Sequence, residues 1–388
     1  MKNIYKKVKL HEVAKINSKQ INKDFNSEDI RYIDIASVTK GTIDNIQNLQ
    51  TSKAPSRAKR LVQKNDILYS TVRPNLEHYV FIKDKVAENT VASTGFAVIT
   101  PKEELVDPYY LYCLITQPKY TQYLSQVAEQ AVSTYPTVSP NVIGDLELSL
   151  PPLSEQKRIS SILSSFDNKI EQLKKENNIL EDIAQSIFKE WFVKYNFPNK
   201  EGKPYKNNNG KMINSELGLI PEGWRVGKLG EITSITSGKN LPKKDLATKG
   251  KYEVLGANGK IGETNKYLFD KQLIFTGRVG TLGNVFLSNE PAWYSDNTLL
   301  IFPKNNFLYY VYRYLQRQRL EKLDRGSTQP LITQTDLKTI LLPIPSLSLL
   351  NKFEKISTLI NNKITQNKNN IDYFQKIKTA LLNKLILA

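Results

Sequence analysis

Counting by sevens from Ile159 meets Phe166, Leu173, Leu180 and Ile187, all apolar. Ile162, Leu163, Ile170, Ile183 and Trp191 widen this stripe to the three-per-heptad face of a packed helix. A shift of 194 residues reproduces the frame as Phe353, Ile360, Asn367, Phe374 and Leu381, flanked by Ile356, Ile364, Ile371, Ile377 and Leu385. Asn367 alone interrupts it, standing where the first copy has Leu173. Each run predicts a helix ~60 Å long at 1.5 Å per residue, with Ser154 as N-cap of the first and Glu155 complementing its dipole. Neither stripe is stable in water, so the two helices are expected to bury each other. They run antiparallel if a twofold-like rotation relates the copies.

The segments upstream of each helix also echo one another. Short β-type runs come first, such as RYIDIASV (31–38), ILYSTV (67–72) and FAVIT (96–100). An aromatic helical stretch follows, PYYLYCLITQ (108–117) or FLYYVYRYLQRQRLEKL (307–323), and a closing strand ends at Pro151 or Pro345. KLHEVAKI (9–16) resembles KLGEITSI (228–235), ILYSTVR (67–73) resembles LIFTGR (273–278), and VSTYP (132–136) resembles GSTQP (326–330). The expected fold class is therefore α+β: two similar α/β globules separated by two long helices packed as an antiparallel coiled coil, in a pseudo-twofold internal repeat. The segments are 1–152, 153–195, 196–219, 220–345 and 346–388. The Asn-, Gly-, Pro- and Lys-rich stretch 196–219 reads as a flexible link, and the whole as a rod with a globule at each end.

Composition adds a direction. Lys and Arg number 55 against 38 Asp and Glu, a formal charge of +17, which draws polyanions, although an AT-rich genome rich in Lys, Asn and Ile codons yields the same excess. A single cysteine, Cys113, excludes an intrachain disulfide and a zinc site built on several thiolates. The chain shows neither a membrane-length apolar run nor an apolar signal-peptide core, so the cytoplasm is the expected location.

Three separated stretches, LPPLSEQKRI (150–159), KEWFVKYNFPNKEGKPYK (189–206) and IPEGWRVGKLGEI (220–232), resemble the hallmark segments of type I restriction–modification specificity (S) subunits, the HsdS family. The resemblance spans essentially the whole chain. It implies two target-recognition domains, each reading one half of a bipartite site on double-stranded DNA, with the helices setting the gap. It further implies that the helices dock two methyltransferase (M) subunits, that restriction/translocase (R) subunits join, and that S-adenosylmethionine and ATP bind those partners while this chain carries no cofactor, metal or catalytic residue. Two departures stand out: the second helix opens PSLSLLNKFEKI (345–356), and the first copy lacks an IPEGW-type lead-in. The competing reading is a stand-alone methyltransferase or nuclease with duplicated recognition domains. DPYY (107–110) lacks the second proline of the amino-methyltransferase motif and leads into a helix, which argues against it.

Candidate DNA contacts are placed by chemistry. Thr71 and Arg73, with Asn75 in the following turn, and Thr276 with Arg278 close β-type runs, where an arginine forks onto guanine or clasps a phosphate. The structural alternative is an arginine paired with a carboxylate. Ser133, Thr134, Ser327 and Thr328 bond phosphate or base edges, or close turns internally. Lys260 sits in the glycine-rich GANGKIG (256–262), which lacks the spacing of a nucleotide-binding loop. Arg313 and Arg317, near Arg319, suggest a phosphate-facing edge of the aromatic helix, while its tyrosines are expected to be core. His11 and His78 are too isolated for a metal site or triad.

Overall fold

The repeated Lys-Leu-x-Glu sequence forms the same device twice. The glutamate at its end turns back onto the lysine amide that precedes a single helical turn: Lys9 N donates to Glu12 Oε1 at 2.9 Å, and Lys228 N to Glu231 Oε1 at 2.7 Å. This capping arrangement fixes where the chain enters each of two compact units. The computed structural model describes residues 5–22, 24–130, 135–279, 282–304, 307–323 and 331–386. The first unit comprises residues 1–172 and 371–388, the second 173–370.

In the first unit the strands are β1 (Lys6–Lys9), β2 (Ala14–Ile16), β3 (Asp29–Ile33), β4 (Gln47–Gln50), β5 (Ala58–Leu61), β6 (Ile67–Ser70), β7 (Tyr79–Phe81), β8 (Thr90–Ser93) and β9 (Phe96–Pro101). Helices α1 (Pro108–Ile115) and α2 (Pro118–Gln130), strand β10 (Glu147–Leu150) and the long α3 (Leu153–Phe188) follow. One sheet has the order β2-β9-β6-β7, a second β4-β3-β8-β5, and β1 pairs with β10. The fully buried Ile67, Ile99, Tyr110, Leu111 and Leu163 lie in its main core, against which Leu381, Leu382 and Leu385 also pack.

The second unit repeats this plan with β11 (Met212–Ser215), β12 (Gly218–Pro221), β13 (Arg225–Lys228), β14 (Thr233–Ser237), β15 (Leu246–Ala247), β16 (Tyr252–Gly256), β17 (Gly259–Thr264), β18 (Leu273–Gly277), β19 (Val285–Ser288), β20 (Ala292–Tyr294) and β21 (Thr298–Pro303). Helix α4 (Leu308–Gln316), β22 (Leu341–Ile344) and the long α5 (Leu347–Ile386) complete it. The sheet β14-β21-β18-β19 matches β2-β9-β6-β7 strand for strand, and β13–β22 matches β1–β10. The other sheet differs at its edge. In the first unit the parallel pair β3/β8 carries its fourth strand, β5, beside β8; in the second the parallel pair β16/β20 carries β15 on the far side, beside β17.

The two long helices run antiparallel within each unit. In the first, Phe166 meets Phe374, with ring centres 6.0 Å apart, and Lys378 Nζ lies 2.6 Å from Asp167 Oδ1. In the second, Phe188 meets Phe353 at 6.0 Å, and Asn367 Nδ2 donates to Asn177 Oδ1 at 3.0 Å. The buried side of α3 follows alternating steps of four and three through Ile159, Leu163, Phe166, Ile170, Leu173, Asn177, Leu180 and Ala184, as coiled-coil seams do. Ile183 is corrected by this count. It is 43% exposed and its neighbour Ala184 is buried, because the seam takes the position four beyond each heptad residue, whatever its apolarity.

Two expectations about chain ends and joins also change. Ser154 lies inside the first turn of α3, where Glu155 and Gln156 amides donate to Pro152 O. The buried Gln156 secures that turn: its Nε2 donates to Pro151 O at 2.9 Å and its Oε1 accepts from Asp107 N at 2.9 Å. The stretch 196–219 is built rather than loose. Phe197 stacks on Tyr205 (4.6 Å) and on Trp224 (5.4 Å), Asn199 Oδ1 accepts from the amides of Glu201 and Lys203, and β11 and β12 form a hairpin.

The aromatic helices are capped by opposite routes. Asp107 caps α1 locally, accepting from Tyr110 N at 2.9 Å and from the Ser160 hydroxyl. Phe307 occupies the matching place before α4 and offers no side-chain cap. There the carboxylate comes from the long helix: Glu354, at the position equivalent to Ser160, accepts from Tyr309 N (3.2 Å) and Tyr310 N (2.9 Å). Tyr110 and Tyr310 are fully buried, so these aromatics are core, and DPYY is a helix start.

Candidate nucleic-acid interface

Strand β6 ends at Ser70, and the next residue is bound on three sides. Thr71 N and Oγ1 both donate to Gly95 O (2.8 and 2.9 Å), and Thr71 O accepts from Val138 N at 2.9 Å. Thr71 is 8% exposed, so its hydroxyl holds the loop and is withdrawn from DNA contact, contrary to expectation. What it positions is Arg73. This residue adopts the left-handed conformation (φ 46°), anchored by its amide to Pro136 O at 2.9 Å. The strained backbone turns an exposed guanidinium over the exposed ring of Tyr135, 5.2 Å from its centre. Asn75 is exposed in the turn that follows, on a shallow cleft of about 350 Å³ shared with Glu77 and with Gln122, Ser125, Gln126 and Glu129 of α2; Glu77 is paired with Lys40. A fixed cation beside amide and hydroxyl groups is the chemistry that grips phosphate and reads base edges.

The second unit does not place its arginine alike. Gly277 pairs with Thr298 as Ser70 pairs with Phe96, which makes Arg278 the counterpart of Thr71, not of Arg73. Its backbone confirms this: Arg278 N donates to Asn297 O (2.8 Å) and Arg278 O accepts from Ile332 N (3.0 Å). The shared Thr-x-Arg spelling is therefore out of register with the strands. Arg278 is half-buried, and Thr276 is fully buried with its hydroxyl donating to Asn284 O at 2.8 Å, so Thr276 is corrected to a strand residue.

Two further candidates are spoken for. Lys260 lies 2.8 Å from Glu263 and 3.3 Å from Glu253, which face each other across β16 and β17, and these carboxylates hold its pKa above the ordinary lysine value. GANGKIG is a hairpin turn. Arg313 is 7% exposed and forks onto Glu181, with Nη2 to Oε2 at 2.8 Å, tying α4 to α3; Glu181 is held below the usual carboxylate range by that bond. Arg317, one turn on, is exposed beside a cleft of about 450 Å³ with Gln185 and Gln316. Ser133, Thr134, Ser327 and Thr328 lie outside the described residues.

Sequence reasoning missed other exposed cations. Arg57 and Lys59 sit at β5, and Lys243, Lys244 and Lys249 flank β15, so the edge strands that differ between the units both carry positive charge. Charged edges also resist unwanted strand pairing. His11 Nδ1 and His78 Nδ1 each bond a backbone carbonyl, and no group of metal-binding side chains occurs among the described residues. No described helix is long and apolar enough to cross a membrane.

Comparison with known proteins fits this duplicated plan. The family model for the type I restriction modification DNA specificity domain matches residues 3–182 and again 221–373. The type I restriction enzyme MjaIX specificity subunit of Methanocaldococcus jannaschii is 28% identical over 367 residues, covering 88% of this chain and 81% of that one. The HindI specificity subunit of Haemophilus influenzae is 37% identical over 153 residues, 39% of this chain and 32% of its own. Among solved structures, the type I restriction–modification S subunit from M. genitalium shares the fold with a TM-score of 0.64 at 19% identity, covering 100% of this chain and 97% of that one. Carrying the domain once in each of its two units, the chain belongs to the type I restriction–modification DNA specificity family.

Proposed function

We propose that this chain is the non-catalytic specificity subunit of a type I restriction–modification complex, in which each unit reads one half of a bipartite sequence in double-stranded DNA. The observation that carries this reading is the twofold match to the specificity domain, falling on two units with a common strand plan and unlike sheet edges. A shared frame with divergent edges suits two readers of different half-sites. Arg73, Asn75 and Tyr135 are the contacts assigned to the first half-site; Arg278, Arg317 and the lysines around β15 are those assigned to the second. The paired long helices set the gap and dock two methyltransferase subunits, which bind S-adenosylmethionine; restriction/translocase subunits bring ATP. The complex works in the cytoplasm, where its DNA is.

Methylation mapped across the genome, with the gene intact and deleted, tests the reading. A split motif with adenine marked in each half should vanish on deletion. Methyl transfer by the purified chain without partner subunits would refute it. Lengthening both long helices by one heptad should widen the gap and leave the bases unchanged.

A further inference from the structure

Two polar residues at or beside the helix seam of α3 find partners on α5 that the repeat does not reproduce. Asn367 is fully buried, and its Nδ2 donates to Asn177 Oδ1 at 3.0 Å. Yet the repeat makes Asn367 the counterpart of Leu173, so the two asparagines are not equivalent positions. Likewise Lys378 Nζ lies 2.6 Å from Asp167 Oδ1, and Lys378 is the counterpart of Ala184. Substituting α3 for α5 by the 194-residue shift gives the self-paired arrangement, α3 against α3 of a second molecule. There Asn177 faces Leu173 and Asp167 faces Ala184, twice over. Asn177 loses its amide partner there, and Asp167 loses the ammonium while keeping the Tyr109 hydroxyl, so the asparagine carries the larger cost of an unpaired polar group in a seam.

That competing state is open to every new chain. Helix α3 is synthesised well before α5, with its apolar stripe uncovered, and neighbouring chains present the same stripe. We propose that Asn177 and Asp167 act as a discrimination device, making α3 reject a second α3 while accepting α5 of its own chain. Polar pairs at single seam positions select partners in this manner, at a cost in stability. The device exceeds what DNA reading requires and stands whether or not that reading holds.

Interchain disulfides report the wrong pairing directly. The contact of Phe166 with Phe374 translates, by the same shift, to Phe166 against Leu180 of a second α3. Within one chain these positions are two heptads apart on one helix, about 21 Å, and cannot be bridged. The full-length chain carrying Phe166→Cys and Leu180→Cys is refolded from urea under oxidising conditions and run without reductant. Cys113→Ala is included in every background, because a thiol that is buried in the folded chain is exposed while the chain refolds. The expected result is little covalent dimer in this background and a several-fold increase when Asn177→Leu, alone or with Asp167→Ala, is added. Equal dimer in all backgrounds, whether abundant or absent, overturns the proposal.

Discussion

Replacing Glu354 by glutamine should flatten the acid-range stability profile of the second unit. The carboxyl is 8% exposed at the start of α4, and burial pushes its pKa up to about 7 from the ordinary 4.5, against two backbone amides that pull it down. Because the folded state binds this proton more tightly than the unfolded one, the stabilisation is fully present below pH 4.5 and is lost as pH rises through about 7. Between pH 5 and pH 8 this group alone removes about 2–3 kcal/mol, since each pKa unit corresponds to about 1.4 kcal/mol. The amide of Glu354→Gln still accepts at its oxygen but does not titrate. The three tryptophans, Trp191, Trp224 and Trp293, all belong to the second unit, so urea unfolding followed by their fluorescence reports that unit. The native chain should lose stability from pH 5 to 8 relative to the variant, whatever the offset between them. Parallel profiles would refute the assignment of Glu354 as a buried, titrating cap.

Further tests separate contact from support. Arg73→Gly relieves a left-handed backbone, so the melting temperature should hold or rise while DNA affinity falls and the slope of log affinity against log salt shrinks by about one unit; unchanged affinity would remove Arg73 from the interface. Arg313→Ala strips Glu181 of its forked partner and should lower the stability of the second unit by about 1–3 kcal/mol in urea unfolding, with DNA affinity per folded molecule unaltered. Lys260→Ala should change neither the salt slope nor the affinity measurably, because two glutamates already balance its charge.

The helical seam was readable because heptad spacing survives in both copies; the repeated Lys-Leu-x-Glu sequence was noticed, but its capping role emerged only from the glutamate-to-amide bonds. Ile183 misled because apolarity was weighed without the step of four that puts Ala184 in the seam. Arginine roles were illegible for a different reason. Arg313 meets a carboxylate 132 residues earlier in the chain, which no local pattern records. Arg278 and Arg73 share a spelling, yet strand pairing alone fixes which residues correspond. Thr71 was singled out as a DNA contact, but its hydroxyl is consumed by a carbonyl 24 residues away.

The mismatch between β5 and β15 bears on how such readers can be transplanted. A graft confined to the interior of one globule would import a flank strand whose neighbour lies on the opposite border of the recipient sheet, leaving one row of amides bare and another crowded. Junctions at the Lys-Leu-x-Glu turn and at the proline after β10 or β22 avoid this, because the copies coincide there. Whole units cut at those junctions are therefore expected to transplant as cassettes, and fragments of them are expected to fail.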